Sequence, residues 1–104
     1  MSLEEIQADW SKHEGTSCPL GHRTREINGF NLTMLESEIG GYIMTFIATG
    51  GKLGARQFNM MNDFNEKLPD IIKELEGEAQ QYFESLYSIV KKVLAHCPDP
   101  ETIF

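Results

Sequence analysis

Five side chains are soft or borderline metal ligands: His13, Cys18, His22, His96 and Cys97. Cys18-Pro-Leu-Gly-His22 has a spacing that a loop could fold around zinc, and the end of the chain could add His96 or Cys97 to a tetrahedron. The pattern nevertheless lacks a paired CxxC or HxxxH, and His96 and Cys97 are adjacent instead of spaced. No metal is therefore expected, and His13, Cys18, His22 and Cys97 are kept as the ligands of an alternative reading. A di-iron bundle would need Glu-x-x-His on its helices, but Trp10, Pro19 and Val93 stand three residues before the histidines. HExxH is absent as well.

Nucleophilic catalysis needs a nucleophile, a base and an orienting group in one cleft. Ser17 and Cys18 lie near His13 and His22 in sequence, and this is the one such cluster. There is no GxSxG, Walker A or GxGxxG motif, and the glycines around Lys52 follow a helical stretch instead of a strand. No catalytic residue and no cofactor are expected. His22-Arg23-Thr24-Arg25 is a short basic run without an aromatic platform. With a formal net charge of −7, the chain is a poor match for a phosphate backbone.

The most extended polar feature is acidic: Asp63, Glu66, Asp70, Glu74, Glu76, Glu78 and Glu84, offset over residues 70–84 by Lys73 alone. Such a surface suits a basic protein, because complementary charge speeds encounter and selects the partner. A solvated face that confers solubility is the plainer reading of the same residues.

The elements that position these groups read as helices. Gly77–His96 is the clearest: Ala79, Tyr82, Phe83, Leu86, Ile89, Val90, Val93 and Leu94 recur with a helical period. Asn31–Thr49 carries a second stripe of Leu32, Leu35, Ile39, Tyr42, Ile43, Phe46 and Ile47. Thr33 and Glu36 form a candidate capping box, and Gly50-Gly51 ends the helix. The mid-helix pair Gly40-Gly41 suggests close approach of another backbone. Leu53–Leu75 keeps one apolar phase through Phe58, Met61, Phe64, Leu68, Ile71, Ile72 and Leu75, with Pro69 expected to kink or split it. Met34, Met44, Met60 and Met61 suit either a core or an adaptable groove.

A short helix is expected from Leu3 to Lys12, with Ser2 and Glu5 as a capping box and Trp10 anchoring it. Residues 13–30 read as loop with a turn at Asn28-Gly29, and residues 98–104 as a tail after Pro98, whose Ile103 and Phe104 could fold back onto the core. The predicted architecture is one all-α domain: a small antiparallel bundle of three long helices plus a short N-terminal one. No apolar run reaches the roughly 20 residues of a membrane span, and the first ten residues lack the pattern of a signal peptide. These features predict a cytoplasmic protein with reduced cysteines and no membrane partner.

From Leu35 to Leu94 two elements stand out. One is a Tyr-Ile-x-x-Phe-Ile helix ending in Gly50-Gly51. The other is the Leu-x-Gly-Glu-x-x-x-Tyr-Phe-x-x-Leu turn and helix, residues 75–86. Together they resemble the small helical immunity proteins encoded beside bacterial toxins. The matching positions are mostly core and turn. The resemblance implies a non-enzymatic protein that binds a toxin domain and blocks it, and it carries over no contact residue. Two other readings stand beside it. One is a metal- or ligand-responsive regulatory module using the loop after His13. The other is a homo-oligomeric adaptor, a homodimer being the simplest, assembled through Tyr42, Met44 or Tyr87.

Overall fold

The structure is a computed structural model that describes residues 3–16 and 26–97. Ser2 of the expected first capping box, the Ser17–Cys18 pair, His22, Arg23, Arg25 and the 98–104 tail lie outside the described residues. The described chain is all-α apart from one small hairpin. In order it comprises α1 (Leu3–Glu14), β1 (Glu26–Ile27), β2 (Phe30–Asn31), α2 (Leu32–Ala48), α3 (Ala55–Ile72) and α4 (Gly77–His96). No helix among the described residues is long and apolar enough to cross a membrane.

The core is the stripe of α4 packed against the other three helices. Ala79, Tyr82, Phe83, Leu86, Ile89, Val90 and Val93 are all buried, and Leu94 is half-buried at their edge. Ile39, Ile43 and Phe46 of α2, Met61, Phe64 and Leu68 of α3, and Ile6 of α1 complete the centre. Removing these side chains from water is the main favourable term in folding. Met61 alone of the four tandem or spaced methionines is core; Met34 and Met44 project from α2 into solvent.

Several local expectations are revised. α1 runs two residues past Lys12, so His13 and Glu14 are helical and not loop. The helix ends at Gly15, whose N–H donates to Ser11 O at 3.1 Å. The expected loop also contains an antiparallel ribbon pairing Glu26 with Asn31 and Ile27 with Phe30. Its turn is the predicted Asn28-Gly29, with φ of 54° and 84°, the positive values that a two-residue hairpin turn requires. The cap of α2 is Asn31, not Thr33: Asn31 Oδ1 accepts from Met34 N at 3.1 Å.

Gly40 does meet a close neighbour, but it is the Trp10 ring and not a backbone. A Cβ there would stand 3.0 Å from Cη2, whereas one at Gly41 would meet nothing within 4 Å. α2 terminates at Gly50-Gly51: Gly51 N donates to Phe46 O at 2.8 Å and Gly50 N to Ile47 O at 3.2 Å, the paired bonds of a Schellman motif. Pro69 does not split α3. It is exposed in the last turn, Lys73 N still donates to its carbonyl at 3.1 Å, and buried Leu68, Ile71 and Ile72 hold that turn on the core.

Candidate functional site

The acidic residues divide among several surfaces. On α3, Asp63, Glu66 and Asp70 fall within about 60° of one another around the helix axis, and Glu74 follows just beyond the helix end. Lys67 pairs with Asp63 at 3.0 Å and Lys73 with Asp70 at 3.3 Å, both pairs at the surface. Exposed pairs of this kind contribute little to stability and leave the stripe negative. Glu66 has no ion-pair partner among the described residues. Glu76 is the N-cap residue of α4. Glu78 and Glu84 lie about 120° apart around α4: Glu78 lines a cleft against α1, whereas Glu84 sits beside Tyr87 and Lys91 on the side toward α3. The seven carboxylates expected to act together therefore contribute one coherent stripe, on α3, plus three separate positions.

The α1/α4 cleft is a concavity of about 690 Å³. Lys92 of α4 reaches Asp9 at 2.5 Å and Glu5 at 3.5 Å, and the hydrogen bond to Asp9 raises its pKa. Further along, His13 Nδ1 lies 3.3 Å from Ser85 Oγ. The two helices are therefore antiparallel. His13 is 3% exposed, stacked with Trp10 and tilted against Tyr82 at centroid distances of 5.6 and 4.4 Å. The Tyr82 hydroxyl donates to Glu36 of α2, so a polar cluster joins three helices behind the cleft. His13 Nε2 is buried and has no hydrogen-bond partner among the described residues.

Residue order groups His13 with Ser17 or Cys18; the fold gives it Ser85 from the last helix. A serine beside a neutral histidine is the start of a nucleophile–base pair. Among the described residues no third group holds Nε2. Ser85 also sits in the middle of α4, where neighbouring backbone N–H groups are committed to the helix and cannot turn toward a developing oxyanion. Of the four ligands of the metal alternative, Cys18 and His22 lie outside the described residues, and the other two stand apart. Ser85 and Cys97 are separated along α4 by about 18 Å at 1.5 Å per residue, which parts His13 from the buried Cys97. His96 packs edge-on against Phe46 at the far end. Among the described residues no three His, Cys, Asp or Glu side chains gather to hold a metal.

Burial lowers the His13 pKa from its ordinary 6.5, outweighing the opposing attraction of Glu36 and Glu14. The unfolded chain therefore binds a proton below pH 6.5 that the folded chain resists. Stability is complete above that value and falls as pH drops through the window beneath it. Urea titrations between about pH 7.5 and 5.5 are expected to show a shallower pH dependence for His13→Gln than for the wild type. The difference in slope is bounded by about 1.4 kcal/mol per pH unit, the limit for one proton. Equal slopes would mean that His13 is not held neutral by the fold.

The signal for His13 lies in its spacing. It stands three residues after Trp10 and seven after Ile6, continuing the buried face of α1. Neither a family model nor a curated protein nor a solved structure matches the chain.

Proposed function

We propose that this protein is a non-enzymatic protein-binding module of the inhibitor or immunity type, docking a basic partner domain on the outer face of α3. The observation that carries the reading is the stripe of Asp63, Glu66 and Asp70, continued by Glu74 just past the end of α3, on a helix whose opposite face is locked into the core by Met61, Phe64, Leu68 and Ile71. Charge presented on a rigid element needs little reordering on binding, which lowers the entropic cost of association. The net charge of −7 extends the same attraction over the approach of a cationic partner. The resemblance of the 35–94 region to immunity proteins supplies the partner class, a toxin domain with a basic active site. Glu76, Glu78 and Glu84 lie away from the stripe and belong to the long-range field instead of the contact.

The test begins by locating a toxin-like gene beside this one and measures binding to its product. A one-to-one complex is expected, with an association rate that falls as salt rises. Combining Glu66→Gln, Asp70→Asn and Glu74→Gln is expected to slow association about tenfold while leaving the melting temperature within a few degrees. An unchanged association rate would remove the α3 face from the mechanism. Absence of any complex would remove the inhibitor reading.

A further inference from the structure

α1 is held on the bundle by few buried groups. Ile6 and His13 are its buried residues, and Leu3 and Trp10 are half-buried against the core. The other three helices share a core of their own, in which Ile39, Ile43 and Phe46 of α2 and Met61, Phe64 and Leu68 of α3 join the stripe of α4. Taking α1 away leaves most of that core in place.

His13 is the point at which the docking of α1 can respond to a proton. A neutral imidazole has one donor and one acceptor nitrogen, whereas a charged one presents two N–H groups. Ser85 Oγ can accept from Nδ1 at 3.3 Å, but Nε2 is buried and faces no acceptor among the described residues. Charging the ring in place therefore buries an N–H without a partner, in addition to taking the charge out of water. Glu14 of α1 and Glu36 of α2 attract the charge, and burial outweighs both. On the α4 side the ring meets Tyr82, whose hydroxyl donates to Glu36. The other charges at this face are Lys12, Glu78 and the ion pairs of Lys92 with Asp9 and Glu5.

We propose that α1 is a clasp opened by acid: protonation of His13 releases α1 from α4 and α2, while α2, α3 and α4 stay packed together. Release gives both ring nitrogens to water. It uncovers Tyr82 of α4 and the Gly40 surface of α2, on which His13 and Trp10 rest. The device is independent of the docking reading for the outer face of α3. A released histidine titrates near pH 6.5, so linkage to a docked form that stays neutral raises the released fraction about tenfold between about pH 7.5 and 5.5. Docking is complete above that window and weakens as pH falls through it.

Hydrogen exchange of the full chain, corrected for the intrinsic rate at each pH, tests this. An isolated helix of 12 residues is marginal in water, so a released α1 unravels and its amides exchange. The amides of residues 7–11 are expected to be less protected than those of residues 86–93 at each pH. Their exchange is expected to depend weakly on low urea, as sub-global opening does. Their protection is expected to fall about tenfold between about pH 7.5 and 5.5. His13→Gln is expected to remove that fall, and His13→Leu serves where the glutamine variant does not fold. Equal protection and equal urea dependence in α1 and α4 would mean that α1 leaves only when the whole domain unfolds, and would overturn the proposal. A fall confined to residues 12–14 would show fraying of a docked helix and would overturn it too. So would α1 protection that ignores pH, or a fall that persists without His13.

Discussion

Phe83→Ala is expected to destabilise the protein by about 3–5 kcal/mol, the range for truncating a buried phenylalanine. Phe83 is 0% exposed and lies in the helix that touches each of the other three. Its ring meets Tyr82 edge-on at 5.6 Å, an arrangement that adds to area burial. Removing a fully buried ring leaves a void that the surrounding side chains fill only in part. A domain of this size has a total stability of about 5–15 kcal/mol, and the loss would consume much of it. Urea unfolding followed by circular dichroism, with the m-value checked for change, measures the effect. A loss below about 1 kcal/mol, a typical value for an ordinary site, would show that α4 is not the centre of the core.

Gly51→Ala is expected to cost about 1–3 kcal/mol, the usual range for holding a residue in a sparsely populated backbone region. Gly51 has φ of 102°, and its N–H closes the end of α2 onto Phe46 O. A Cβ would stand 3.1 Å from His96 Cε1 and 3.7 Å from Phe46 Cζ, adding crowding to backbone strain. Gly41→Ala is the matched comparison. It is helical, it has open space where a Cβ would go, and it is expected to gain up to about 1 kcal/mol from helix propensity. Thermal melts of the two variants should therefore move in opposite directions. A shift of the same sign in both would mean that glycine content, not local geometry, governs the response.

The helices are legible in the residue order because burial on one side imposes a period that survives there. The eight apolar positions of Gly77–His96, with Gly50-Gly51 marking one end and Pro98 following another, need no knowledge of the fold. The hairpin is half legible. Asn28-Gly29 announces its turn, but strands of two residues are too short to show alternation. The cap of α2 is ambiguous by residue type, since Asn31 and Thr33 are both competent; the start at Leu32, which is buried against the core, selects Asn31. The expected split at Pro69 does not occur, because buried Leu68, Ile71 and Ile72 hold the turn around it on the core.

The candidate sites divide in the same way. The acidic residues of α3 share a face by spacing alone, so Asp63, Glu66 and Asp70 can be grouped from their positions in the chain. Glu78 and Glu84 are already parted by their spacing on α4, but that one faces α1 and the other α3 is decided by the fold. The α1/α4 cleft is illegible in the residue order, because it joins Asp9 to Lys92 and His13 to Ser85 across nearly the whole chain. Residue order by itself determined the four helices, the inward face of each long one and the excess of negative charge, because these follow from local periodicity and composition. Tertiary structure alone decided that α1 lies antiparallel on α4 and turns a histidine assigned to a loop into part of a cleft wall. Which helices meet depends on how all the apolar faces are buried at once, and that is a property of the whole chain.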